Sequence, residues 1–157
     1  MPSFSTTRRV GVPAAVAYGV AADVGAYQQF IPLLQRSQIR GVKRIENGCE
    51  VFDAELALAY EKLGLRESFL SHVSCDPLKQ TVTATSNDGP FRSMQTTWSF
   101  RQAGVATDVS IHIDYAMRNP LIQFAIAGAM AMAVDKIISA FEARAKTVHE
   151  SLVQPQA

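Results

Sequence analysis

Very few residues in this 157-residue chain are of types and spacings that do chemistry. His72, His112 and His149 fall on different stretches, and no Cys/His/carboxylate spacing among them fits a metal site. His72 and Cys75 stand three apart in a stretch that reads as a strand, so their side chains face opposite sides and form no nucleophile–base pair. No glycine-rich phosphate loop and no Gly-x-Ser-x-Gly elbow occurs. The two cysteines, Cys49 and Cys75, read as buried or half-buried thiols of a reducing cytosol. Two polar residues remain. Glu67 shares a strand face with Leu65, Phe69 and Val73, where a lone carboxylate is costly. It is therefore a rim residue, a partner for an arginine, or a polar group meeting a ligand inside an apolar cavity. Tyr115 lies on the apolar face of the last strand, either satisfied by a neighbour or free to meet such a ligand.

The elements that must position them follow from periodicity. Ser3 to Val10 alternates as a strand, and Pro13 to Ala22 reads as a helix with proline in its first turn. A second short helix is expected at Ala26 to Ile31, ended by Pro32. Six further strands then follow as a meander: Ser37 to Ile45, Glu50 to Leu58, Leu65 to Cys75, Gln80 to Ser86, Phe91 to Arg101 and Val105 to Met117. Turn chemistry separates them, above all Glu46-Asn47-Gly48 and Asp88-Gly89-Pro90. In the last strand Val109, Ile111, Ile113, Tyr115 and Met117 share one face, and Asp108, Ser110, His112 and Asp114 the other. This is the pattern of a half-buried antiparallel strand.

The chain closes with one long helix, Asn119 to about Leu152, opened by an asparagine cap and a proline. Its second half is amphipathic about Val134, Ile137, Ile138, Phe141, Ala145, Val148 and Leu152, with Asp135, Lys136, Glu142, Lys146 and Glu150 opposite. Extending that stripe upstream gives Gln123, Ala127, Met130 and Ala131 as the inward face, small enough to leave space beneath. Leu121, Ile122, Ala125, Ala129 and Met132 then face outward, an apolar surface of the kind that marks an interaction or ligand site. Small inward residues and Gly128 are equally compatible with a helix pressed close to the strands. The expected fold class is α+β: a curved antiparallel sheet of about seven strands gripping a long C-terminal helix, as a single domain over 1–157.

Composition bounds the function. A hydrophobic fraction of 48%, a charged fraction of 18% and a net charge of +1 describe a globular chain with no bulk electrostatic drive toward nucleic acid, so DNA is not an expected partner. Arg8-Arg9 precedes an apolar run that Gly11 and Pro13 interrupt, so strand then helix explains it better than an export signal. The uncharged run Asn119 to Val134 is shorter than the roughly 20 apolar residues of a membrane span, and a soluble cytoplasmic protein is expected.

Three blocks carry a family resemblance: Val20-x-x-Asp23-Val24-x-x-Tyr27-x-x-Phe30-x-Pro32; Asp88-Gly89-Pro90-Phe91 with Trp98-x-Phe100; and Ala140-Phe141-Glu142-x-Arg144-Ala145. Together they resemble the coenzyme Q-binding START-like proteins, similar in fold to the polyketide cyclase/dehydrase and lipid-transport superfamily. The resemblance implies a helix-grip fold with an apolar cavity under the last helix. It also implies binding of ubiquinone or a related isoprenoid lipid, in support of respiration or quinone biosynthesis. A bacterial relative is described as a ribosome-association toxin, which makes the ribosome a second expected partner. Arg36, Arg40, Lys43 and Arg44 would have to supply the patch. Leu33-Leu34 departs from the Trp-Cys that the family often carries there. On this reading the ligand tail lies along Phe52, Leu56, Leu65, Phe69, Met94, Trp98, Ile111 and Ile113, below Ala127, Met130 and Ala131. The quinone head meets Glu67, Tyr115 or Gln123. No metal, no other cofactor and no catalysis are expected. An aromatase/cyclase-type enzyme would need polar groups converging in the cavity, for which only Glu67 and Tyr115 qualify. Transient contact with the inner face of a membrane is expected through the first half of the long helix.

Overall fold

A computed structural model describes residues 2–153; residues 1 and 154–157, the ends of the expected domain, lie outside it. The strands are β1 (Ser3–Val10), β2 (Leu34–Arg44), β3 (Glu50–Tyr60), β4 (Leu65–Asp76), β5 (Thr81–Ser86), β6 (Phe91–Ala103) and β7 (Ala106–Met117). The helices are α1 (Ala14–Ala22) and α2 (Pro120–Val153). The second short helix is a 3-10 segment at Val24–Gln29, ahead of the span expected for it.

All seven strands join one antiparallel sheet in the order β1-β7-β6-β5-β4-β3-β2. Strands β2 to β7 form the meander that the turn residues dictate, and β1 returns to pair with β7. The β2–β3 turn holds Asn47 at φ 61° and Gly48 at φ 76°, the left-handed conformation these residues tolerate best. At the start of α2 the Asn119 side chain accepts the Leu121 amide at 2.9 Å, the expected cap.

Grip on α2 is strongest along its second half. Val134, Ile138, Phe141 and Ala145 are buried there, and Phe141 packs on Trp98 with ring centroids 4.9 Å apart. The sheet edge clamps the same stretch. Arg8 of β1 donates to Ser139 Oγ at 2.7 Å and to Asp135 at 2.5 Å, with Glu142 at 3.8 Å. By length and composition α2 meets the requirement for crossing a bilayer, which its uncharged run alone does not. Here its second half instead closes a protein core.

Candidate functional site

The concave face of the sheet and the first half of α2 enclose a cavity of about 290 Å³. Strand register explains how its wall is built. One row across the sheet is Phe52, Val73, Ala84, Thr96 and Ile113, each paired with the next. A deeper row runs Cys75, Val82, Trp98 and Ile111. On the other side, toward the end of the sheet bearing the β3–β4 and β5–β6 turns, comes a row containing Ser71, Met94 and Tyr115. Beyond it stand Leu56 with Phe69, and Phe91 with Met117. A register shift between Phe91 and Ser93 brings Phe91 onto the concave side, where strict alternation from Met94 would turn it away. Leu33, Leu58, Ala59, Tyr60 and Leu65 complete the wall at that end, and Ile126, Ala129, Met130 and Ala133 of α2 roof it. Leu33 holds a φ of 74°, an uncommon conformation for a leucine, where the chain turns into β2.

Eight of the expected residues line this cavity: Leu56, Leu65, Phe69, Met94, Trp98, Ile113, Tyr115 and Met130. Six do not. Phe52 and Ile111 are core residues, packed with Val109, Ile138 and Phe141 below or beside the open space. Glu67 is half-buried opposite Leu58, outside the lining, where β4 has not yet been joined by β5. It makes no ion pair or hydrogen bond among the described residues. Gln123 is committed to the fold, because its Oε1 accepts the Met117 amide at 2.9 Å and ties the end of β7 to α2.

Ala127 and Ala131 are exposed. The inward stripe of the first half is rotated from the one expected, so that Ile126, Ala129 and Ala133 face the cavity. The cause is a change of partner along the helix. The second half packs on α1, β1 and Trp98 of β6, whereas the first half faces Leu65 of β4 and, at Met132 and Ala133, the end of β3. Ala129, expected outside, is a roof residue. Gly128 has open space where a Cβ would sit, so it serves no close approach to the strands. Of the other residues expected outside, Leu121 and Met132 are 81% and 58% exposed, while Ile122 and Ala125 are half-buried beside Leu65. Phe124, not among those expected, is 84% exposed and extends the apolar outer surface.

Sequence reasoning overlooked Ser71, Thr96, Phe91, Met117, Leu33 and Tyr60 as lining residues. Met117 lies on the strand face already identified as apolar, and that signal was sufficient to find it. The positions of Phe91 and Leu33 depend on a bulge and on a left-handed residue, which periodicity does not reveal.

The wall is apolar apart from a few hydroxyls, and most of these are spoken for. Tyr27 donates to the Ala21 carbonyl, and burial raises its pKa strongly. Ser71 donates to the Thr85 carbonyl at 3.4 Å, and Thr96 Oγ1 to Met94 Sδ at 3.1 Å. Tyr115 is 3% exposed, and its hydroxyl has no partner among the described residues. Burial raises its pKa, so at neutral pH it is a neutral donor.

Catalytic groups do meet elsewhere. On the convex face Ser5 and Asp114 both hydrogen-bond His112, the Asp114 contact being 3.1 Å. This Ser–His–Asp chain lies open to water on an interior strand, β7, whose amides pair with β1 and β6. It lacks the enclosed cleft and free amide donors that acyl transfer needs. His72 pairs across the strands with Asp53 at 2.5 Å on the same convex side. Among the described residues no three His, Cys, Asp or Glu side chains converge as a metal site would require.

Comparison with known proteins gives the context for this geometry. The family model described as polyketide cyclase / dehydrase and lipid transport matches residues 10–142. The ribosome association toxin RatA of Rickettsia prowazekii is 28% identical over 94% of this chain and 99% of its own length. The mitochondrial coenzyme Q-binding protein coq10 of Schizosaccharomyces pombe is 28% identical over 85% of this chain and 80% of its own. Among solved structures, the 18 kDa protein CC1736 from Caulobacter crescentus superposes with a TM-score of 0.80 at 27% identity. That match covers 95% of this chain and 99% of CC1736.

Proposed function

The chain belongs to the polyketide cyclase/dehydrase and lipid-transport family, and from that premise we propose that its cavity binds an isoprenoid quinone without catalysing a reaction on it. The observation that carries this reading is the cavity, about 290 Å³ of space walled by Leu, Phe, Val, Ile, Met and Ala side chains. Burying apolar ligand surface there is favourable by about 25 cal/mol per Å². A hydrocarbon chain therefore binds without a network of specific polar contacts. No acid–base pair lines the cavity among the described residues, and Glu67, the carboxylate an aromatase/cyclase-type reaction would call upon, lies outside it. Similarity to the coenzyme Q-binding protein supports a quinone as the ligand. On this reading the protein acts in the cytoplasm at the inner face of a membrane, in support of respiration or quinone biosynthesis. The exposed apolar half of α2 touches the lipid surface.

Purification followed by organic extraction and mass spectrometry tests it. A bound isoprenoid quinone is the expected result. An empty protein that also fails to take up quinone from vesicles would contradict the proposal.

Similarity to the ribosome association toxin supports a second reading, binding to ribosomal subunits through β2. Arg36, Arg40, Lys43 and Arg44 are all exposed on this edge strand. Two of the four already have acidic partners on β3, Arg40 with Glu55 and Arg44 with Glu50, which leaves little charge for rRNA. Cosedimentation with subunits at moderate salt separates the readings. Retention that an Arg36→Glu/Lys43→Glu variant abolishes would favour the ribosome.

A further inference from the structure

We propose that Tyr115 is the specificity-determining donor of the cavity: its hydroxyl donates to a carbonyl oxygen of the ligand and holds that end inside, one row in from Phe69 and Phe91. This rests on the reading of the cavity as a quinone site and adds which end enters and what it meets. Tyr115 is 3% exposed, lines the cavity, and carries a hydroxyl without a partner among the described residues. The hydroxyl is not among the buried atoms shut off from water, so it faces the open space, where a ligand acceptor can take the place of water. Among the other polar side chains nearby, Ser71 and Thr96 in the wall have acceptors and Gln123 holds the Met117 amide. Tyr60, also without a partner among the described residues, is only half-buried at the end of β3, where water reaches it.

Position supplies the orientation. Tyr115 pairs with Met94 across β6, one row inside the apolar ring of Leu56, Phe69, Phe91 and Met117 that faces the turns. A ligand oxygen held by Tyr115 therefore lies beside that row, with apolar side chains around the rest of the ligand. Volume points the same way. About 290 Å³ is at the small end of the ~300–1,000 Å³ typical of small-molecule sites, enough for a ring and the start of a chain but not for a long polyprenyl tail.

The test compares a 1,4-benzoquinone bearing a ten-carbon chain with decylbenzene, which has the same chain and no oxygen. Trp98, the single tryptophan of the chain and part of the cavity wall, reports quinone binding by quenching, and decylbenzene is read by displacing the quinone. Tyr115→Phe is expected to weaken the quinone about three- to tenfold, the scale of one hydrogen bond, and to leave decylbenzene unchanged. In wild-type protein the carbonyl stretch of the bound quinone is expected to shift to lower frequency, a readout that does not depend on the variant folding. Unchanged quinone affinity in Tyr115→Phe, equal weakening of both ligands, or an unshifted carbonyl stretch each overturns the assignment. Wild-type protein that binds decylbenzene and quinone alike fails it too, while leaving the apolar cavity reading intact. Protein that binds neither overturns both.

Discussion

At the scale of single residues, Gly89 and Tyr115 illustrate opposite kinds of constraint. Gly89 sits at φ +60°, and a Cβ built on it falls 2.4 Å from the Ser68 carbonyl oxygen. The turn can therefore press on β4 only because glycine is there. Gly89→Ala is expected to cost more than about 2 kcal/mol, from left-handed strain plus displacement of backbone, measurable as a lowered urea midpoint. Tyr115 is constrained by nothing its hydroxyl touches, so Tyr115→Phe should leave the melting temperature of the empty protein unchanged. Asp88-Gly89-Pro90 was legible as a turn from residue types alone. The contrast among Glu67, Gln123 and Tyr115 was not. All three are polar residues of apolar stretches, and they separate only when strand pairing fixes which of them reaches the interior. Glu67 falls outside the lining, Gln123 caps an amide, and Tyr115 alone opens into the cavity.

At the scale of elements, α2 is two helices in function. Phe141 fills the space among Trp98, Phe100 and the helix, and Phe141→Ala should lose about 3–5 kcal/mol in chemical unfolding by leaving a hole. The first half contributes a roof rather than a core. Its outer surface bears Leu121, Phe124 and Met132, and charging it by Met132→Glu should leave the unfolding midpoint unchanged while slowing quinone exchange with vesicles. Exchange at the wild-type rate would remove the membrane-contact role of this surface. Strand boundaries were legible within a few residues, and that of β1 to the residue, because alternation with period two is local. The rotation of the roof stripe was not. A helical wheel assumes one partner along the axis, whereas this helix leaves α1 and β1 for β3 and β4 midway.

At the scale of the molecule, one sheet curves around one helix, and the ladder of hairpins that builds it was readable from turn residues and alternation together. Empty space is another matter, since it is set by what fails to fill the gap between sheet and roof, and sequence periodicity carries no volume. Charge ties the edge strand β1 to β7 and closes the β4–β5 turn. Arg9 keeps the Asp108 carboxyl below its usual range, and the Lys79 and Leu78 amides do the same for Asp76. Groups with depressed folded values stabilise above the ordinary carboxylate range and lose that contribution as pH falls through it. The urea midpoint should therefore fall below about pH 4, and Asp108→Asn should flatten that fall.

The central claim, that the space under α2 is a quinone site, is tested most directly by incubating delipidated protein with quinone-loaded vesicles, removing the vesicles and assaying what stays with the protein. The account predicts one quinone per chain in the supernatant, with Trp98 emission quenched in proportion. Quinone remaining wholly with the vesicles and unaltered Trp98 emission would contradict it.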